Sequence, residues 1–157
     1  MGSHITSMDE RTYPTGDKNY LRITSALALG GTAFSGYLSA VRLLTGSCAF
    51  NESCPVFLGY PACWYGFAMF ASILATGLIA YYGNLKAESA AKIIGGIAFL
   101  GTVFAGRFVG IEVSSWLAAG NPGYALVLPT CVYGLTFYLA VLVLSVLMIT
   151  RRRVVPA

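Results

Sequence analysis

The segment Tyr124-ALVLPTCVYGLTFYLAVLVLSVLMI-Thr150 runs for 27 residues without a charged side chain and ends on Arg151-Arg-Arg153. A helix needs about 20 predominantly apolar residues to cross the hydrocarbon core of a bilayer. This one exceeds that length, and its apolar residues go all the way round, leaving no polar face for water. Three earlier segments meet the same criterion: Leu21–Leu44, Pro61–Tyr82 and Ile93–Leu117. Short links join them, apart from a cysteine-rich stretch between Thr45 and Tyr60. The fold class expected is therefore an all-α integral membrane protein, a four-transmembrane-helix bundle.

The rest of the 157 residues fit one such domain, at 21–150. Hydrophobic residues make up 57% of the chain and charged ones 10%, against roughly 25% charged in ordinary soluble domains, and the mean hydropathy is +0.71. Residues 1–7 (Met1-Gly-Ser-His-Ile-Thr-Ser7) read as an expression-tag remnant ahead of Met8. Residues 8–20 read as a cytoplasmic N-terminal segment, and 151–157 as a basic cytoplasmic tail. His4, the single histidine, falls within that remnant, so histidine acid–base chemistry and histidine-ligated metal sites are not expected. The net charge of +4 follows from membrane topology and calls for no nucleic acid.

Basic residues in short flanks mark the cytoplasmic side. With both termini inside, the inner flanks hold Arg11, Lys18, Arg22, Lys86, Lys92 and Arg151–Arg153, and the outer side only Arg42 and Arg107. The expected orientation is N-in, C-in. Small residues predict close helix packing: Gly106-Arg-Phe-Val-Gly110 is a literal GxxxG, and Gly31, Ser35 and Ser39 form a stripe at four-residue spacing. Tyr20, Tyr60, Tyr81, Tyr82, Trp116 and Tyr124 fall near the span ends, as an aromatic belt would.

That topology puts all four cysteines on the outer, oxidising side, where disulfides persist. Cys48 and Cys54 lie in the first outer loop, Cys63 at the start of the second span and Cys131 at the outer start of the fourth. Cys63 and Cys131 each follow a proline by two residues, Pro61 and Pro129. Proline favours the start of a helix, so both thiols are expected in a first helical turn, where the helix dipole favours a thiolate. Arg107 is costly within a span unless it serves a purpose, and it is expected to face the bundle interior near the cysteines. Glu112, five residues on, is turned about 140° from it. Zinc is not expected, because structural zinc sites pair cysteines at C-x₂₋₄-C spacing and these gaps are five, eight and 67 residues. The residues alone leave two readings level: structural disulfides and redox-active cysteines.

A group of short motifs points to one family. Ser35-Gly-Tyr-Leu-Ser39, the Leu43–Cys48 stretch, Cys54, and Gly59-Tyr-Pro61 leading into an apolar helix with Gly66 together resemble the vitamin K epoxide reductase family, as a divergent bacterial-type member. The resemblance covers roughly residues 30–138. It implies a four-helix membrane enzyme that exchanges disulfides with a thioredoxin-like partner on the outer side and passes the electrons to a membrane quinone, ubiquinone or menaquinone, without a metal. On that basis Cys48 and Cys54 match the family's loop pair, and Cys131 matches the quinone-proximal cysteine. Leu128 stands where the family has the other cysteine of a C-x-x-C, the segment between Cys54 and Gly59 is shorter, and Cys63 has no counterpart. The four site cysteines are then expected as an exposed shuttle, Cys48 and Cys54, and a membrane-embedded pair, Cys63 and Cys131. Arg107, Trp64, Tyr65 and Tyr133 are the candidate quinone-binding residues, with Phe57 and Phe67 nearby. The expected location is a bacterial or archaeal cell membrane with the cysteines on the extracytoplasmic face and lipid around the bundle. The alternative is a non-enzymatic four-helix membrane scaffold or transporter subunit with structural disulfides.

Overall fold

The computed structural model describes residues 15–47, 49, 55–119 and 130–154. Four helices carry the fold: α1 (Thr15–Thr45), α2 (Ala62–Tyr81), α3 (Ala87–Ala119) and α4 (Thr130–Val154). Each contains a stretch long and apolar enough to cross a membrane. They run up, down, up and down, with α1 packed along α2, α3 along α4, and the square closed by α2 against α3 and α1 against α4. One end of the bundle gathers the C-termini of α1 and α3 with the N-termini of α2 and α4. It is called the cysteine end below, and the opposite end the basic end.

The helices overrun the apolar blocks. α1 begins at Thr15 rather than Leu21, with Asp17 in its first turn, and α3 begins at Ala87 rather than Ile93, with Glu88 in its first turn. An acidic side chain at a helix N-terminus complements the dipole, so these polar turns extend the helices. α4 begins at Thr130 within the described residues. The expected span started at Tyr124, and residues 124–129 lie outside those described.

The bundle is not wholly helical. Between α1 and α2, β1 (Val56–Phe57) pairs antiparallel with β2 (Tyr60–Pro61), Phe57 opposite Tyr60. The turn between them has positive φ at both central residues, Leu58 at 50° and Gly59 at 85°. That is the tight geometry that matches the twist of paired strands. Gly59 takes it without cost, whereas Leu58 is held in a region that disfavours a Cβ.

Small residues fill the axis and large ones face outward. Ala28, Ala90, Ala91 and Ala98 are wholly buried, while Leu29, Phe99, Leu100, Val103 and Val143 on the outer faces are more than half exposed. A water-soluble bundle would be built the other way round, and close packing over small residues is how helices associate in lipid. The tightest layer is a pair of rings. Phe70 of α2 stacks on Tyr138 of α4 with centroids 4.1 Å apart and planes 8° apart. Gly31 and Gly101 close on this pair from α1 and α3: a Cβ at Gly31 would lie 2.5 Å from Phe70 Cδ1, and one at Gly101 would lie 2.5 Å from Tyr138 Cδ1.

The GxxxG of α3 is not the packing seam. Gly110 is exposed, with nothing near its missing side chain, and Gly106 only reaches Leu135 at 4.0 Å. The small-residue stripe on α1 does face inward at Gly31 and Ser35. Towards the basic end, Tyr20 Oη and Ser145 Oγ are 2.9 Å apart in a buried hydrogen bond. Ser145 also donates to the Val141 carbonyl.

Candidate functional site

At the cysteine end the four helices surround a partly open chamber of about 100 Å³. Every helix contributes a wall: Phe34 and Ser35 from α1, Cys63 and Gly66 from α2, Phe104 and Phe108 from α3, and Cys131 and Gly134 from α4. Its lining is mostly apolar, as that of small-molecule sites usually is.

Cys63 is the second residue of α2. Pro61 caps that helix in an extended conformation without a side-chain hydrogen bond, and the Ala62 amide donates to the Pro55 carbonyl at 2.9 Å. The hairpin is thereby tied back onto the helix start. Cys131 is likewise the second residue of α4 as described. Both cysteines are half-buried and both line the chamber. No disulfide joins these two described cysteines to each other. Cys48 and Cys54 lie outside the described residues, as does Leu128. Their sequence neighbours Ala49 and Pro55, however, both line the same chamber.

Tyr138 forms the floor. Its ring is 2% exposed, and its hydroxyl donates to the Gly66 carbonyl at 3.2 Å. Ser35, beside it, donates to the Gly31 carbonyl at 2.6 Å. With Thr130 and the two thiols, these hydroxyls are the polar side-chain groups of a mostly apolar lining.

Several side chains stand elsewhere than expected. Arg107 is on the exposed face of α3, not in the interior. Phe104, Ala105 and Phe108 take the inward positions, and residue 107 is turned well away from 105 and 108 by the 100° step of the helix. Trp64 points outward, stacked on Tyr60 with centroids 5.8 Å apart, and borders a shallow groove with Ser39, Leu43 and Phe67. Tyr65 braces the hairpin: its hydroxyl donates to the Phe57 carbonyl at 3.1 Å, and its ring meets Phe57 and Phe104. Tyr133 lies against Phe34. None of these four is among the chamber's lining residues.

The aromatic walls are instead Phe34, Phe104, Phe108 and Tyr138. A signal for them does exist in the spacing. Tyr138 follows Cys131 by seven residues and Phe108 follows Phe104 by four, spacings that share a helix face. Among the described residues no three metal-ligating side chains come together. No family model, curated protein or solved structure matches this chain.

Proposed function

We propose that the chain is a membrane thiol–disulfide oxidoreductase of the vitamin K epoxide reductase type. It carries electrons from a thioredoxin-like partner on the outer side to a quinone. The observation that supports this reading is the meeting of Cys63 and Cys131, separated by 67 intervening residues in sequence, in one apolar chamber. Residues next to Cys48 and Cys54 also border that chamber.

In this reading the bundle spans a bacterial or archaeal cell membrane with both termini inside and the chamber facing out. A reduced partner gives two electrons and two protons to a Cys48–Cys54 disulfide. Thiol–disulfide exchange hands them to Cys63 and Cys131, because a thiolate attacks a disulfide sulfur through a mixed disulfide. The Cys63/Cys131 dithiol then becomes a disulfide as the quinone becomes a quinol. Two electrons and two protons move at each step, so the sequence balances. The apolar walls suit a flat ring system, and Cys63 takes the part of the cysteine that Leu128 replaces.

The test supplies the purified protein with a reduced thioredoxin-like protein and a quinone and follows quinone reduction spectroscopically. Wild-type turnover that Cys131→Ser and Cys63→Ser each abolish is the expected result. Absence of turnover with either ubiquinone or menaquinone refutes the reading and favours a scaffold with structural disulfides. Turnover that survives Cys63→Ser refutes the pairing.

A further inference from the structure

Glu112 stands out once the chamber is mapped onto α3. Ala105 and Phe108 line the chamber, and Glu112 follows them by seven and four residues, on the same helix face. Its Oε2 is buried, although the residue lies near the end of an apolar helix where carboxylates are costly and mark function by default. Four residues at 1.5 Å rise place it about 6 Å beyond Phe108 toward the cysteine end, one helical turn past the lining residues of α3.

Side chains on a helix lean toward its N-terminus. α3 runs toward the cysteine end, so Glu112 leans back toward the chamber. α2 and α4 run away from that end, so Cys63 and Cys131 lean outward to the mouth. The register of α3 on α4 is set by Gly101 against Tyr138 and Gly95 against Ser145, which brings Cys131 level with Phe108. Helix direction thus tilts the carboxylate and the Cys131 thiol toward each other's level.

Exchange there needs a proton acceptor. Of the six acidic residues, Asp9, Glu10, Asp17 and Glu88 belong to the basic end or the N-terminal segment, leaving Glu52 in the cysteine loop and Glu112. The other charged side chains described at this end are Arg42, which donates to the Gly46 carbonyl, and Arg107, on the exposed face of α3. The phenols packed around the chamber are Tyr65, bonded to Phe57, and Tyr133 and Tyr138 of α4.

We propose that Glu112 is the proton acceptor for the chamber's thiols. This rests on the exchange chemistry proposed above. As a thiol attacks a disulfide, its S–H proton passes to the Glu112 carboxylate, a new S–S bond forms and the old one breaks. The departing thiolate recovers the proton from the carboxylic acid, which ends the step as it began.

The test needs no quinone. In full-length protein carrying Cys48→Ser and Cys54→Ser, the reaction of Cys63 and Cys131 with a small aromatic disulfide is timed from pH 5 to 9. With Glu112 present, the rate rises with its ionisation and then levels. Glu112→Gln is expected to slow the reaction about a hundredfold at neutral pH, within the range for general base catalysis, and to leave a rate that climbs with hydroxide throughout. Glu112→Asp, which keeps the carboxylate, recovers much of the loss. A Glu112→Gln protein that folds and reacts as fast as the parent, or faster, overturns the proposal, since it reveals only repulsion between carboxylate and thiolate. If that variant does not fold, a parent rate without the levelling overturns it equally. Thiols that pass this test in a protein that never reduces quinone would sink the oxidoreductase reading and leave Glu112's role standing.

Discussion

Gly101→Ala tests the packing logic on which the chamber's floor depends. The added Cβ would lie 2.5 Å from Tyr138 Cδ1 and 2.7 Å from Cζ, well inside contact distance. The ring cannot retreat, because it is stacked on Phe70, and Phe70 is itself pressed by Gly31. Overpacking a core costs about 1–3 kcal/mol, and a ring blocked on both sides belongs at the upper end, about 3 kcal/mol. Replacing a mid-helix glycine by alanine returns about 1 kcal/mol of helix propensity. The net destabilisation is about 2 kcal/mol, roughly a 30-fold shift in the folded-to-unfolded ratio. Reversible unfolding in a single detergent, followed by near-ultraviolet circular dichroism, measures it. Gly96→Ala is the control: nothing lies within 4 Å of its missing side chain, so only the propensity gain should appear. Adding Phe70→Leu to Gly101→Ala should relieve part of the loss, by the coupling of about 0.5–3 kcal/mol usual for neighbours. A Gly101→Ala protein as stable as wild type would refute the clamp between Gly31 and Gly101.

Two further outcomes follow from local geometry. Tyr20→Phe removes one partner of the buried Tyr20–Ser145 bond and should cost about 1 kcal/mol; Tyr20→Phe with Ser145→Ala should cost less than the sum of the two, and strict additivity would contradict the bond. Leu58→Asn puts a residue that tolerates positive φ before Gly59, the favoured pair for this turn, and should stabilise the hairpin by about 1 kcal/mol. Slower hydrogen exchange at the Ala62 amide, which is bonded to Pro55, reads this out, and unchanged or faster exchange counts against it.

Much of the architecture was legible because hydropathy acts on whole segments. Four uncharged or nearly uncharged blocks, each long enough to cross a bilayer, leave few alternatives to four helices, and the blocks centre on α1 to α4. Ends were less legible. A helix does not stop where its apolar run stops when an acidic first turn such as Asp17 or Glu88 can extend it. The hairpin was hidden as well, since two two-residue strands leave no periodic pattern.

The site divides along the same line. That Cys63 occupies a first helical turn could be read from Pro61, a local signal. Which side chains face the chamber could not be read, because a helix that is apolar all round carries no polar face to orient it. Rotation is then decided by which residues let neighbouring backbones approach. Gly31 and Gly101 admit the Phe70–Tyr138 pair, and that contact turns Phe104, Phe108 and Cys131 inward and Arg107 outward. The order of apolar blocks by itself determined four apolar helices, with Cys63 at the start of the second. Only tertiary packing decided that Cys63 and Cys131 share a chamber with Phe104, Phe108 and Tyr138, because facing depends on close contact between helices and not on the hydropathy of any one of them.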